Sequence, residues 1–117
     1  MLKFYGYKKC GTSRKGEAFL NKNEISFEFI DITLNPPDTE ELAGLINQSN
    51  KPVKKFFNTS GVVYREMQLK DKLKTMTDDE MIDLLASNGK LIKRPIVSDG
   101  KQTTVAFSED EFNATWL

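Results

Sequence analysis

Apolar residues recur at two different spacings along the chain, and each change of spacing marks a new element. Residues 2–7 are aromatic and apolar, which predicts a first strand. Helical spacing follows and predicts a helix over residues 13–23, with an inner stripe of Gly16, Phe19 and Leu20. Apolar residues next alternate with polar ones, which predicts a second strand containing Ile25, Phe27, Phe29, Ile30 and Ile32. Strand, helix and strand in this order indicate a parallel βαβ unit with a right-handed crossover.

The middle of the chain has helical patterns. Pro36 and Pro37 end the second strand, and Asp38 can cap a helix whose inner face is Leu42, Leu45 and Ile46. Residues 53–57 predict a short helical turn and residues 58–61 a loop turn. Two further helices are predicted, one containing Leu69 and Leu73, the other opened by a Thr77–Glu80 capping box, with Met81, Leu84 and Leu85 inward and Gly89 at its end.

The last quarter of the chain returns to strand patterns. Residues 92–98 predict a strand that Pro95 interrupts, and Asp99-Gly100 predicts a two-residue hairpin. The partner strand contains Thr103, Val105 and Phe107, and a second capping box, Ser108–Glu111, starts a C-terminal helix that carries Phe112 and Trp116. The order predicts an α/β fold with a βαβ…ββα core. We expect one domain over residues 1–117, with a helical insertion at 34–91 between core segments 1–33 and 92–117.

Composition narrows the chemistry. The chain has 117 residues, 17 basic and 17 acidic side chains, one cysteine and no histidine. These counts exclude a Ser-His or Cys-His nucleophile pair, a His-ligated or Cys-rich metal site and an internal disulfide. Zero net charge argues against a large nucleic-acid surface, and no apolar run predicts a signal or a membrane span. We therefore expect a cytoplasmic protein without a membrane anchor, direct nucleic-acid contact or bound metal.

The single cysteine lies between the first strand and the first helix, within Lys8–Lys15. The helix N-terminus, the hydroxyls of Thr12 and Ser13 and nearby cations such as Arg14 would favour the Cys10 thiolate, which is a nucleophile near neutral pH. The alternative is that Cys10 is a small buried hydrophobe, as free cysteines often are. A loop rich in lysine favours the reactive interpretation.

A second thiol is missing at the position that would complete a Cys-x-x-Cys motif, where this chain has Ser13. An intramolecular dithiol cycle is therefore impossible. If Cys10 turns over, an external thiol must complete the cycle through a mixed disulfide.

Two of the three arginines are candidates for binding an anionic substrate, because a guanidinium presents a planar fork to an oxyanion. Arg94 precedes Pro95 at the start of a predicted strand, where the peptide bond could be cis. Arg65 follows a predicted turn. The alternative for both arginines is that they are surface residues paired with Glu66 or another carboxylate.

Three segments together resemble the ArsC/Spx family of thioredoxin-fold proteins: Tyr7–Lys15, Lys54–Gly61 with Tyr64–Glu66, and Leu84–Pro95. The resemblance implies that Cys10 matches the nucleophile of glutaredoxin-coupled arsenate reductases, in which the cysteine attacks arsenate, glutathione displaces the adduct and glutaredoxin removes the glutathione. It also implies that Arg94 belongs to the oxyanion site and that Pro95 is cis beside Cys10. Asn58 and Ala106 stand where the family's other two oxyanion arginines align, which weakens the match to arsenate.

The same family contains Spx regulators, which bind the C-terminal domain of the RNA polymerase α subunit and sense oxidants through a Cys-x-x-Cys disulfide. Cys10 and Ser13 cannot form that disulfide. The sequence thus leaves two hypotheses. One is a monomeric thiol-dependent oxidoreductase with glutathione as co-substrate and no bound cofactor. The other is an Spx-like protein that binds the polymerase without a redox switch.

Overall fold

The computed structural model describes all 117 residues of the chain. Four strands and six α-helices form the fold, and none of the helices is long and apolar enough to cross a membrane. In chain order they are β1 (Leu2–Gly6), α1 (Gly11–Lys22), β2 (Phe27–Asp31), α2 (Thr39–Ser49), α3 (Val62–Glu66), α4 (Leu69–Lys72), α5 (Asp78–Ser87), β3 (Ile96–Ser98), β4 (Thr103–Val105) and α6 (Glu109–Trp116). Short 3-10 turns cover Val53–Phe56, Leu73–Thr75 and Gly89–Leu91.

The strands form one mixed sheet in the order β2-β1-β3-β4. β1 pairs with β2 in parallel and with β3 in antiparallel orientation, and β3 pairs with β4 in antiparallel orientation. This arrangement confirms the predicted α/β class with its βαβ and ββα segments. The register places Gly6 opposite Asp31, so the carboxyl ends of β1 and β2 meet at one edge of the sheet.

Both faces of the sheet are covered, because neighbouring residues of a strand point to opposite sides. On one face Tyr5 and Ile96 belong to the larger core, together with buried residues of α2 and α5. On the other face Phe4 and Val97 join a smaller core with Leu20 of α1 and Phe112 of α6. The central strands β1 and β3 are therefore packed on both faces, and the loop after β1 starts from this buried centre of the sheet.

The predicted helix caps are present where the signal is local. Asp38 accepts a hydrogen bond from the Glu41 N–H (2.8 Å), and Thr77 and Glu80 exchange both bonds of a capping box. The second predicted box is only half formed. Ser108 accepts from the Glu111 N–H (3.3 Å), but the Glu111 carboxylate pairs with Lys51 (2.8 Å) instead of returning to Ser108.

Two predicted boundaries were wrong near the candidate chemistry. Helix α1 begins at Gly11 instead of residue 13, with Cys10 as its N-cap. The strand predicted over residues 92–98 is reduced to Ile96–Ser98, because Pro95 has no N–H to donate to a ladder. Ile92 instead forms an isolated bridge with Phe57.

The predicted two-residue hairpin was also wrong, because the β3–β4 loop spans the four residues 99–102. The Asp99 side chain accepts hydrogen bonds from the N–H groups of Lys101 (2.8 Å) and Gln102 (2.7 Å), which closes this wider turn. β4 ends before Phe107, because Ala106 adopts a positive φ of 67°.

The helix α3 was not predicted from the sequence, because it has only five residues and follows directly on the predicted turn. Its Val63 and Tyr64 are half-buried against the larger core. Gly89 lies just beyond the end of α5, as predicted. Asn88 ends the helix in an extended conformation, and Gly89 packs so closely on the chain just after β2 that an added Cβ would lie 1.9 Å from the Ile32 carbonyl oxygen.

Candidate active site

Cys10 lies at the N-terminus of α1, immediately after the loop that leaves β1. Its backbone is extended, with φ −92° and ψ 122°, and its N–H donates to the Tyr7 carbonyl (2.9 Å). The side chain is half-buried. Cys10 therefore occupies the position from which a side chain can accept hydrogen bonds from the first N–H groups of a helix.

The surroundings of Cys10 favour its ionised form. Burial raises the pKa of the thiol, but the Ser13 N–H, the Arg94 guanidinium and the Thr12 N–H favour the thiolate and together lower the pKa by more, and the Arg94 charge adds to their effect. The Cys10 side chain forms no capping hydrogen bond of its own. The net result is a pKa below the usual value for cysteine. A larger fraction of Cys10 is then available as a nucleophile near neutral pH.

The predicted hydroxyl donors act differently from the expectation. The buried Ser13 hydroxyl accepts a hydrogen bond from the Tyr7 N–H (2.9 Å), so it fixes the loop after β1. The contributions of Thr12 and Ser13 to the thiolate come from their backbone N–H groups. Arg14 donates only its backbone N–H to the Cys10 carbonyl (3.0 Å), and its exposed guanidinium forms no ion pair.

Arg94 has hydrogen-bonding capacity that the protein leaves unused. Its Nε and Nη1 atoms are buried without a hydrogen-bond partner. The guanidinium carbon lies 5.1 Å from the centroid of the Tyr7 ring, in a cation–π arrangement that orients the group. Buried donors are normally satisfied, so these atoms are suited to an anionic ligand that is absent from the protein itself.

Asp31 is a second charged group at this edge of the sheet. Its Oδ1 accepts hydrogen bonds from the Thr33 hydroxyl (2.7 Å), the Thr33 N–H (2.9 Å) and the Leu34 N–H (3.2 Å). The Thr33 hydroxyl lowers the pKa of Asp31 most; burial opposes it, and the Thr33 and Leu34 N–H groups and the Arg94 charge lower the pKa further. Asp31 is therefore a permanent negative neighbour of Arg94.

Sequence reasoning missed Tyr7 and Asp31. A signal for both exists, because the carboxyl ends of adjacent parallel strands meet at the sheet edge where ligands bind in open α/β folds. Tyr7 directly follows β1 and Asp31 ends β2, so the pairing of Gly6 with Asp31 brings them to the same edge.

A cavity of about 420 Å³ opens beside Arg94. Its wall includes Tyr7, Thr33, Asn58, Glu66 and Lys90. Asn58, aligned with a missing arginine, therefore lies at the cavity, whereas Ala106 lines a different one. Arg65 does not reach the cavity and forms no ion pair with Glu66 or any other carboxylate. Arg65 is thus a surface residue, as one of the two interpretations predicted, but it lacks the predicted ion pair, and anion binding by Arg65 stays a prediction.

Pro95 connects the Arg94 cavity to α1. The Arg94–Pro95 peptide bond is cis, and the Pro95 ring packs on Gly16, where an added Cβ would lie 3.2 Å from Cγ. The Pro95 carbonyl accepts a hydrogen bond from the Ala106 N–H (2.9 Å), so β4 holds the proline from the other side. Arg94 is thereby fixed relative to the helix that carries Cys10.

Comparison with known proteins identifies the family. The model of the ArsC family matches residues 5–115. The chain is 50% identical over 115 residues to the uncharacterized protein YusI of Bacillus subtilis, covering 98% of each. A structure from Streptococcus mutans, described as that of a possible arsenate reductase, is 39% identical and superposes with a TM-score of 0.87. The match covers 97% of this chain and 98% of the Streptococcus mutans chain.

Regulators of the Spx type are more distant relatives. The global transcriptional regulator Spx of Streptococcus pyogenes is 29% identical over 105 residues, which cover 90% of this chain and 77% of the regulator. Together with the four-stranded mixed sheet, these similarities confirm the thioredoxin-like α/β fold. The chain belongs to the ArsC family.

Proposed function

We propose that the protein is an arsenate reductase-like, thiol-dependent oxidoreductase of the cytoplasm in which Cys10 is the only nucleophile. The observation that carries the proposal is the environment of Cys10, where two helix N–H groups and the Arg94 guanidinium lower the thiol pKa. Glutathione and glutaredoxin are the proposed electron donors, because no second cysteine is present to resolve an intermediate.

The proposed reaction is a pair of thiol–disulfide exchanges. The Cys10 thiolate attacks one sulfur of a glutathione-containing disulfide, forms a mixed disulfide with glutathione and expels the other sulfur as a thiolate. A glutaredoxin thiolate then attacks the glutathione sulfur of this intermediate and releases the Cys10 thiolate. Two electrons pass from the external thiol to the substrate, and Cys10 returns to its starting state.

The charge of the cavity favours a carboxylate-bearing substrate over arsenate. Arg94 is the only arginine at the cavity, and Asn58 supplies an amide where the family's reductases have a second cation. Lys90 adds one positive charge to the cavity wall, and Asp31 and Glu66 add two negative charges near Arg94. A single guanidinium can bind one carboxylate of glutathione in bidentate geometry, whereas an arsenate dianion needs more positive charge.

The test is turnover of a glutathione mixed disulfide with glutathione and glutaredoxin as donors. We expect turnover by the native protein, accumulation of one glutathione on Cys10 when glutaredoxin is omitted, and loss of both in Cys10→Ser. Thr12→Ala is the matched control, because Thr12 acts through its backbone. Equal turnover by Cys10→Ser and the native protein would exclude the proposal. Arsenate, assayed in parallel, should be the poorer substrate.

The second candidate is an Spx-like partner of RNA polymerase, supported by the 29% identity to Spx over most of the chain. This function does not need Cys10. Direct binding of the purified protein to the C-terminal domain of the polymerase α subunit tests it, and Cys10→Ser should bind as well as the native protein. Absence of binding at micromolar concentrations would remove this candidate.

A further inference from the structure

A second cavity, larger than the one beside Arg94, lies between the 3-10 turn at Val53–Phe56, helix α4 and the end of β4. Its volume is about 900 Å³. It shares no lining residue with the Arg94 cavity and has no acidic residue in its wall. Six lysines surround it: Lys51, Lys54, Lys55, Lys70, Lys74 and Lys93.

Most of this positive charge is unpaired. Lys51 forms an ion pair with Glu111 (2.8 Å), and Lys74 lies 3.7 Å from the exposed Asp71 carboxylate. The other four lysines form no ion pair. Like charges gathered around one cavity repel each other and oppose folding. A bound anion would remove this repulsion.

The concentration of charge is local. The chain has fourteen lysines in all, and zero net charge. Outside the six lysines of the cavity, the chain has eleven basic and seventeen acidic residues, a net charge of −6. An extended nucleic acid would therefore meet a negative surface beyond the cavity. A compact anion that fits within the cavity avoids this repulsion.

The inner wall of the cavity is apolar. Tyr64 is half-buried, and its ring packs against Phe57 with 6.3 Å between centroids. Leu73 and Val105, both buried, extend this wall. A concave apolar surface with polar groups at its rim is typical of small-molecule sites.

We propose that this cavity binds a small organic polyanion, with its phosphate groups on the lysine rim and a flat aromatic group against Tyr64. Nucleoside triphosphates represent the class, since lysine ammonium groups bind phosphate as point charges and an aromatic base can pack on the tyrosine ring. The site is independent of Cys10, and binding involves no covalent step.

The test is calorimetric titration of the full chain with ATP in the absence of divalent cations, compared with inorganic triphosphate. We expect ATP to bind more tightly than triphosphate and its affinity to fall as salt is raised. The combined variant Lys54→Gln, Lys70→Gln, Lys93→Gln should bind ATP about tenfold more weakly. No ATP binding by the native protein would overturn the proposal.

A matched control removes the same charge elsewhere. Lys15, Lys22 and Lys101 are exposed and do not line the cavity, so the triple change to Gln should alter ATP affinity by less than about twofold. Equal weakening in both triple variants would mean that ATP responds only to net charge, which would overturn the assignment to this cavity.

A further variant distinguishes the contribution of the apolar wall to binding from that of the lysines. Tyr64→Ala should weaken ATP but leave inorganic triphosphate unchanged, while Cys10→Ser should bind both as the native protein does. Tighter binding of a glutamate-rich peptide than of ATP would overturn the proposal in favour of an acidic protein partner. Because Cys10→Ser keeps this site, failure here is distinguishable from failure of the reductase proposal.

Discussion

The reactivity that we assign to Cys10 depends on the charge balance around Arg94. Asp31 is held ionised mainly by the Thr33 hydroxyl, so it does not need Arg94 in order to keep its charge. The Arg94 guanidinium rests on Tyr7 and still has two buried donor atoms without partners. Arg94 can therefore stabilise the Cys10 thiolate and an incoming carboxylate without losing a structural ion pair.

Replacing Arg94 should raise the pKa of Cys10. Arg94→Gln removes both a hydrogen-bond donor and a positive charge from the surroundings of the thiolate. The rate of alkylation by iodoacetamide should therefore increase at a higher pH in this variant than in the native protein. The measurement is the pH dependence of that rate. Arg94→Lys, which keeps the charge, should give an intermediate profile.

The matched control for this experiment is Arg65→Gln. Arg65 is exposed on α3, does not line the Arg94 cavity and does not contribute to the pKa of Cys10. Its alkylation profile should coincide with that of the native protein. Identical profiles for Arg94→Gln and the native protein would show that Arg94 does not act on the thiolate.

Ser13 should matter for stability more than for reactivity. Ser13→Ala leaves the Tyr7 N–H without its acceptor at a buried position, which should lower the free energy of unfolding by roughly 1–3 kcal/mol. The pKa of Cys10 should change little, because Ser13 acts on the thiol through its backbone. Urea unfolding, with the exposed Thr12→Ala as control, measures the difference. Equal costs for the two variants would contradict this role of the Ser13 hydroxyl.

At the scale of elements, the sequence predicts best what depends on neighbouring residues. The caps at Asp38 and Thr77 were predicted correctly, because an N-cap and its N–H partner lie within three residues. The start of α1 was missed by two residues, since Cys10 and Gly11 carry no strong cap signal. The bond from Glu111 to Lys51 joins residues sixty positions apart, and no local pattern predicts it.

For the candidate site, too, the sequence predicts local features better than contacts between distant residues. Cys10 and Arg94 were singled out by residue type and by resemblance, and Arg94 lowers the pKa of Cys10. Tyr7 and Asp31 become visible only once the register of β1 and β2 is known. The orientation of Arg65 could not be derived from the sequence because the five-residue helix α3 was not predicted; in the structure Arg65 is exposed, while Val63 and Tyr64 pack on the core.

Two glycines test the packing between elements. Gly89→Ala should cost about 3 kcal/mol or more, because the new Cβ would lie 1.9 Å from the Ile32 carbonyl oxygen and would force the turn away from the backbone that follows β2. Gly44→Ala is the control. Gly44 is exposed within α2 with no atom near its missing Cβ, so alanine should stabilise the helix by about 0.5–1 kcal/mol.

Thermal or urea unfolding of both glycine variants gives the comparison. Opposite changes in the free energy of unfolding are expected. A small decrease in the free energy of unfolding for Gly89→Ala would contradict this packing role. It would show that the turn Gly89–Leu91 can move away from the Ile32 backbone without destabilising the protein.

The whole molecule has zero net charge, but its basic and acidic residues are concentrated in different places on the surface. The six lysines of the larger cavity face no carboxylate of its wall, while Asp38, Glu40, Glu41 and Asp99 line a groove of about 520 Å³ elsewhere on the surface. Net charge read from composition therefore describes solubility and not local binding.

The pH dependence of stability connects the Cys10 thiolate to the folding of the whole chain. Because the folded pKa of Cys10 lies below its unfolded value, the folded state binds the thiol proton more weakly than the unfolded state does. The stabilisation is fully present above the unfolded pKa of about 8.5–9, and it is lost as the pH falls through the lowered folded pKa. The Cys10→Ser variant lacks the thiol and therefore lacks this pH-dependent stabilisation.

We therefore expect the free energy of unfolding of the native protein, minus that of Cys10→Ser, to increase with pH up to about pH 9 and then to level off. Tyr5 does not confuse this measurement. Burial and the hydrogen bond to Glu41 raise the pKa of Tyr5, so its effect begins near pH 10 and is common to both proteins. Urea unfolding under reducing conditions at several pH values gives the difference. A difference independent of pH would mean that the fold does not stabilise the thiolate, and the nucleophilic role of Cys10 would lose its physical basis.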